Sequence, residues 1–135
     1  MLRATAFAAM LLLSTAALAH EDHIGPNGGY TKHLGSVSVE VVTEGTLVRV
    51  HVRDEQTEAP IDLTGAKCRA VVLAGGKTES VTLALDKAVL VGAAKQPIPA
   101  DAKVAVSLQI PGRSNVPSGT FDLGRKASLP TGAGR

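Results

Sequence analysis

The chain has 135 residues, a formal net charge of +2 and only 2% aromatic residues, which fits one domain without the basic charge that nucleic-acid binding requires. Trp is absent, and only Tyr30 and Phe121 are aromatic beyond residue 19, too few to stack bases or sugars. The single cysteine, Cys68, excludes an internal disulfide, so core packing has to stabilise the fold.

Residues 1–19 have the pattern of a secretory signal peptide. Arg3 precedes an apolar run, and Ala17-Leu18-Ala19 places small residues at the two positions that a signal peptidase reads. The run is shorter than the roughly 20 residues that a membrane-spanning helix needs, and no later segment is apolar enough. The sequence therefore predicts cleavage of this segment and a periplasmic or secreted protein that does not span the membrane.

Residues 20–33 form a polar segment that contains three of the four histidines. Cleavage after Ala19 leaves His20 first, with an α-amine and an imidazole that can chelate one metal ion, and His23 can add a second imidazole. Cleavage one residue later leaves Glu21-Asp22-His23, which is similar to the amino-terminal copper and nickel motif with histidine third. Both cleavage sites predict a nitrogen chelate.

The ligand types favour a divalent ion. Nitrogen-rich sites prefer Cu(II), followed by Ni(II) and Zn(II), and Glu21, Asp22 and His33 are candidates to complete the coordination. Both methionines lie within residues 1–19, so the mature chain lacks the thioether ligands that select Cu(I). We expect a Cu(II)- or Zn(II)-type ion on His20 and His23. The alternative is an exposed polar terminus whose histidines bind nothing.

The sequence Gly-Pro-Asn-Gly-Gly at residues 25–29 predicts a compact bend. Pro26 restricts φ, while Asn27 and the glycines tolerate positive φ. Such a bend can bring His20 and His23 toward His33. The simpler alternative is that it only leads the chain into the first strand.

From residue 37 onward, apolar and polar residues alternate with period two, which is typical of half-buried strands. About seven short strands are predicted, over residues 37–41, 48–53, 67–74, 78–85, 88–91, 104–110 and 119–123. This spacing predicts an all-β fold, an immunoglobulin-like antiparallel β-sandwich over residues 34–124. Residues 125–135 lack periodicity and are predicted to be a flexible tail.

Three other features are assigned structural roles. Cys68 alternates with inward residues and is expected to be a small apolar core residue, whereas His51, between two arginines on the outer face, is expected to be solvated. Residues 75–78 read Gly-Gly-Lys-Thr, but a phosphate-binding loop also needs glycine at position 71, where the chain has Val71. They are therefore predicted to be a hairpin turn. Hydrolase and redox motifs are absent from the sequence, so we expect no enzyme.

Several segments together resemble a known group of proteins. They are the Gly-Pro-Asn-Gly-Gly box at 25–29, Val-Ser-Val-Glu-Val-Val at 37–42, Leu-Thr-Gly-Ala at 63–66 and Val-Val-Leu-Ala-Gly-Gly-Lys at 71–77. The chain resembles small periplasmic proteins and domains associated with heavy-metal efflux, including extra domains of resistance-nodulation-division (RND) adaptor proteins. The resemblance spans most of residues 20–124. It implies an exported β-sandwich near metal transport, with His20 and His23 as the matching histidines and RND-type components as candidate partners.

Two functions follow from these patterns. The first is a periplasmic metal-binding accessory protein that takes part in heavy-metal efflux or homeostasis. The second is a structural or interaction module, without a metal, whose sheet edge or hairpin loops dock on an envelope complex.

Overall fold

The alternating segments form strands that all pair antiparallel. The structure is a computed structural model that describes residues 23–113 and 117–126. The elements are β1 (His23–Ile24), β2 (Tyr30–Leu34), β3 (Val37–Glu44), β4 (Leu47–Asp54), β5 (Lys67–Ala74), β6 (Lys77–Asp86), β7 (Val89–Ala93), β8 (Lys103–Gln109), β9 (Ser118–Asp122) and the short helix α1 (Leu123–Lys126).

The strands form one sheet with the order β1-β2-β3-β4-β7-β6-β5-β8-β9. Strand β6 joins the two halves, because its first part pairs with β5 as far as Leu83 while Ala84 to Asp86 pair with β7. The sheet curls at this strand into a half-barrel. The curl brings β2 close to β9, so that the Leu34 side chain lies 3.0 Å from the position that a Cβ on Gly119 would occupy.

Glycines lie in the hairpin turns between β3 and β4 and between β5 and β6. Glu44 lies opposite Leu47 across the turn that begins at Gly45. Ala74 lies opposite Lys77, which leaves a loop of Gly75 and Gly76 with φ of 59° and 77°, the positive values that a two-residue type I′ turn requires. The prediction that residues 75–78 form a hairpin turn is therefore confirmed.

The inward residues of the strands make one core. The predicted alternation is confirmed on β4, β5 and β8, whereas on β3 Ser38 and Glu40 of the opposite face are buried as well. The core residues of these four strands are Val37, Val39, Val41, Val48, Val50, Val52, Cys68, Ala70, Val72, Val104, Val106 and Leu108. Cys68 is 4% exposed, as predicted for a small core residue. Burial raises the pKa of its thiol to about 12, since a thiolate would lose its hydration there.

The all-β prediction is confirmed, but the architecture differs in detail from the predicted one. The described residues form nine strands in a curled sheet, where the sequence predicted about seven in a sandwich. The additional strands β1 and β2 come mainly from residues 20–33, which were predicted to precede the β-domain. Strand β1 has only two residues, too few to show a period-two pattern, and the five residues of β2 are mostly polar.

Two predicted segments fall outside the described residues. They are the signal peptide at residues 1–19 and most of the tail, residues 127–135. Residues 125 and 126, which were assigned to the tail, belong to α1. Within residues 23–113 and 117–126, no helix is long and apolar enough to cross a membrane.

Candidate functional site

Two of the predicted metal ligands lie side by side on the outer face of the sheet. The ring centroids of His23 and His33 are 5.5 Å apart, with the ring planes inclined at 37°. Strand register explains this proximity: His23 lies opposite Thr31, and His33 is two residues further along β2, on the same face. His20, Glu21 and Asp22 lie outside the described residues.

One ring nitrogen of His33 is held by its neighbours. Nδ1 lies 2.9 Å from the Ser38 hydroxyl oxygen and 3.8 Å from Glu55 Oε2. Ser38 is directly opposite His33 on β3, so strand pairing fixes the first contact. A metal-bound histidine usually donates its other N–H to an oxygen of this kind, which makes Nε2 of His33 the nitrogen suited to bind a metal.

The described residues supply only part of a metal site. Among them, no group of three or more His, Cys, Asp or Glu side chains is arranged to hold an ion. The histidine pair, His23 and His33, therefore offers two nitrogen ligands, and Glu55 is placed to orient His33 rather than to bind beside it. Any further ligand has to come from elsewhere, and the residues directly before His23 are the nearest in the chain.

A buried acid that the sequence analysis missed lies next to this site. Glu40 is fully buried, although it alternates with core valines and therefore points to the outer face of β3. Its Oε2 accepts N–H groups from Asn27 at 2.9 Å and Gly29 at 2.7 Å, and its Oε1 accepts the Asn27 side-chain amide at 3.0 Å. Residues 25–29 thus cover the carboxylate. We call Glu40 with its donors Asn27 and Gly29 the Glu40 clamp.

The shape of residues 25–29 explains the Gly-Pro-Asn-Gly-Gly box. Gly28 N donates to Gly25 O at 3.0 Å and Gly25 N donates to Gly29 O at 2.9 Å, while Gly28 has a φ of 80°. This is the pattern of a type I turn followed by a left-handed residue in a three-residue hairpin loop. Gly25 and Gly29 have no room for a Cβ, since it would meet Glu40 and Thr31 at Gly25 and the Val41 carbonyl at Gly29.

Two side chains from β4, Arg53 and His51, flank Glu40. Arg53 Nη1 is 3.4 Å from Glu40 Oε1, a longer contact than those from the bend. Its buried Nε has no hydrogen-bond partner within residues 23–113 and 117–126. His51 lies opposite Glu40 in the register. Burial lowers the pKa of His51; Glu40 opposes this shift, while Arg53 and Arg49 add to it.

His51 occupies the predicted face but is half-buried rather than fully solvated. Two strands, β2 and β3, separate its strand from β1, so it is not part of the histidine pair. Glu40 was missed because one acid between valines in a period-two pattern indicates an exposed outer face. The Gly-Pro-Asn-Gly-Gly box at residues 25–29 indicates a bend, but no sequence pattern shows that this bend covers Glu40.

The chain matches no family model, no curated protein and no solved structure. The resemblance to efflux-associated domains therefore stays a prediction that rests on the quoted motifs.

Proposed function

We propose that this protein is an exported, periplasmic accessory protein that binds a divalent ion of the Cu(II) or Zn(II) type in heavy-metal efflux or homeostasis. The observation that supports the proposal is the histidine pair. Two imidazoles from separate strands share one face with centroids 5.5 Å apart, and hydrogen bonding at Nδ1 orients one of them.

The separation of the rings suits a shared ion. Two imidazoles that bind one ion through bonds of about 2.0–2.1 Å at a tetrahedral angle have centroids roughly 5 Å apart. The observed separation of 5.5 Å is close to this value, which supports the two rings as ligands of one ion. Neutral imidazoles bind divalent ions near pH 7 at little cost in lost protons.

The remaining ligands in this proposal come from the amino-terminal side of His23. His20 supplies an imidazole, and also an α-amine if cleavage falls after Ala19, while Glu21 and Asp22 supply carboxylates. Ser38 and Glu55 orient His33. The protein carries and presents the ion and catalyses no reaction, and RND-type efflux components are the proposed partners.

The proposal includes a finer description of the fold. We infer that the curled sheet is a variant of the immunoglobulin-like sandwich, with β1, β2, β3, β4 and β7 as one layer and β5, β8 and β9 as the other. Strand β6 belongs to both layers, since it changes its partner from β5 to β7. The support is that the valines of both halves line one shared core.

Mass spectrometry of the exported protein, followed by calorimetric titration of the purified mature form with Cu(II) and Zn(II), tests this function. We expect one ion per chain, and binding lost in the double variant His23→Ala, His33→Ala. His51→Gln is the matched control, because it removes an imidazole two strands away from His33 while keeping a polar side chain beside Glu40, and it should bind as the parent does. If the parent binds neither ion, or the double variant binds as well as the parent, the proposal is wrong and the interaction module becomes the better hypothesis.

A further inference from the structure

We propose that Glu40 is a positioning residue for the metal site: by clamping residues 25–29 it sets His23 against His33 before an ion arrives. The inference rests on the proposed function of the histidine pair. It assigns a role to a buried acid whose hydrogen bonds, within the described residues, go to the bend and to Arg53.

Donors from the bend at residues 25–29 reach both oxygens of the Glu40 carboxylate. Oε2 accepts the backbone N–H groups of Asn27 and Gly29, and Oε1 accepts the Asn27 side chain. A fully buried carboxylate is unfavourable without such donors. The same N–H groups belong to a bend, where they would otherwise need water as a partner.

Glu40 and the bend at residues 25–29 depend on each other. Gly25 lies so close to Glu40 and Thr31 that a Cβ would collide with both. Arg53 forms an ion pair with the carboxylate, but at 3.4 Å its contact is longer than those to the bend. Without the bend, Glu40 would lose its three nearest donors, and without Glu40 the bend would lose the acceptor around which it closes.

The clamp acts on His23 through the short strand β1. Strand β1 has two residues, is at the end of the sheet and pairs only with β2, through His23 with Thr31 and Ile24 with Tyr30. Hairpins with so few pairs are marginal by themselves. The bend begins at Gly25, directly after Ile24, so the clamp fixes the point from which His23 is held.

His33 has no such dependence. It lies on β2, which pairs with β3 along five residues, and its ring is held by Ser38. Loss of the clamp should therefore free one histidine of the pair and leave the other in place. Metal binding would then have to order β1 as well, which lowers the affinity without removing a ligand.

The variant Asn27→Asp tests this inference. It keeps the shape of the side chain but replaces the donor amide, 3.0 Å from Glu40 Oε1, with a second carboxylate. We expect Zn(II) affinity in calorimetry to fall about tenfold or more, in the range found when outer-shell partners of metal ligands are removed. Amide hydrogen exchange at Gly29 should become faster, while exchange in β5 and β8 should not change.

A double variant separates positioning from a general loss of structure. In Asn27→Asp with Glu40→Gln, the amide and the carboxylate exchange places, so the clamp can form again with one negative charge. We expect the double variant to bind Zn(II) with an affinity within about threefold of that of Glu40→Gln alone. Asn27→Asp would then cost much less affinity with glutamine than with glutamate at position 40, and a double-mutant cycle measures this difference. The control is Glu44→Gln, which should bind as the parent does. Glu44 is on the same strand but is exposed and accepts a hydrogen bond from Arg49.

The possible outcomes distinguish the two proposals. The positioning role is overturned if the parent binds Zn(II) and Asn27→Asp binds it equally well, or if the double variant shows no recovery. The metal function stands in both cases. A parent that binds no ion overturns the metal function, and with it the positioning role, even if Gly29 exchange shows that the clamp exists. Reduced affinity in Asn27→Asp with recovery in the double variant supports both.

Discussion

Tyr30 and Phe121 meet edge to face, with ring centroids 6.1 Å apart and ring planes at 89°. They belong to β2 and β9, which are near opposite ends of the nine-strand order. Both are almost fully buried, and Lys32 Nζ lies 5.9 Å from the centre of the Phe121 ring. Because these strands share no ladder of hydrogen bonds, side-chain packing of this kind is what holds the two ends of the curled sheet together.

Shortening Phe121 should strongly destabilise the fold. Phe121→Ala removes a fully buried ring and leaves a cavity between β2 and β9, so we expect a loss of about 3–5 kcal/mol in the free energy of unfolding. Urea denaturation monitored by circular dichroism measures this loss. The control is Leu73→Ala, since Leu73 is 37% exposed and should change stability much less. Equal effects of the two substitutions would contradict the role assigned to Phe121.

Gly25 should not tolerate even one methyl group. In Gly25→Ala the new Cβ would meet the side chains of Thr31 and Glu40, and we expect a loss of about 1–3 kcal/mol. Thermal unfolding compares this variant with Gly124→Ala, whose Cβ would be at an ordinary distance, 3.4 Å, from Asp101. A melting temperature in Gly25→Ala equal to that of the parent would show that the bend can move away from Glu40.

His51 should make stability fall in mild acid. Burial lowers the pKa of His51 in the folded protein below its ordinary 6.5, with Glu40 opposing the shift and Arg53 and Arg49 adding to it. The unfolded chain therefore binds this proton more readily, so the contribution is complete above about pH 6.5 and is lost as the pH falls through the folded-state pKa. Urea unfolding of the parent and of His51→Gln between pH 8 and pH 5 measures it. The variant should lose less stability than the parent over this range, and parallel curves would contradict the prediction.

The thiol of Cys68 should be unreactive in the folded protein. It is 4% exposed and burial raises its pKa to about 12, so almost no thiolate exists at pH 8. We expect a thiol reagent such as iodoacetamide to label the native protein very slowly and to label the urea-unfolded chain at the rate of a free cysteine. Rapid labelling under native conditions would mean that β5 opens locally.

Much of the fold could be predicted because the signals are local. The bounds of β5 and the turn at Gly75 and Gly76 agree with the sequence prediction, since alternation fixes which face of a strand is apolar and paired glycines allow the turn. The prediction of an inward Cys68 was correct for the same reason. Strands β1 and β2 were not predicted because they are short and their pattern is mixed.

The candidate site was only partly accessible to sequence reasoning. His23 and His33 were candidates from their residue type, but their proximity follows from the pairing of β1 with β2. Ser38 lies next to His33 because of the register between β2 and β3, and Glu55 lies next to it because of the turn after β4. The sequence pattern shows neither. The three predicted ligands before His23 lie outside the described residues, so their participation stays a prediction.

By itself, the sequence determined the all-β character, the inward face of most strands and the turns between them, because each depends on neighbours within a few residues. Tertiary structure alone decided that Glu40 is buried, that Asn27, 13 residues earlier, covers it, and that Tyr30 meets Phe121. The physical reason is that a carboxylate can be buried only where hydrogen-bond donors replace its hydration. The donors to Glu40 are distant in the sequence, and only the folded chain brings them to it.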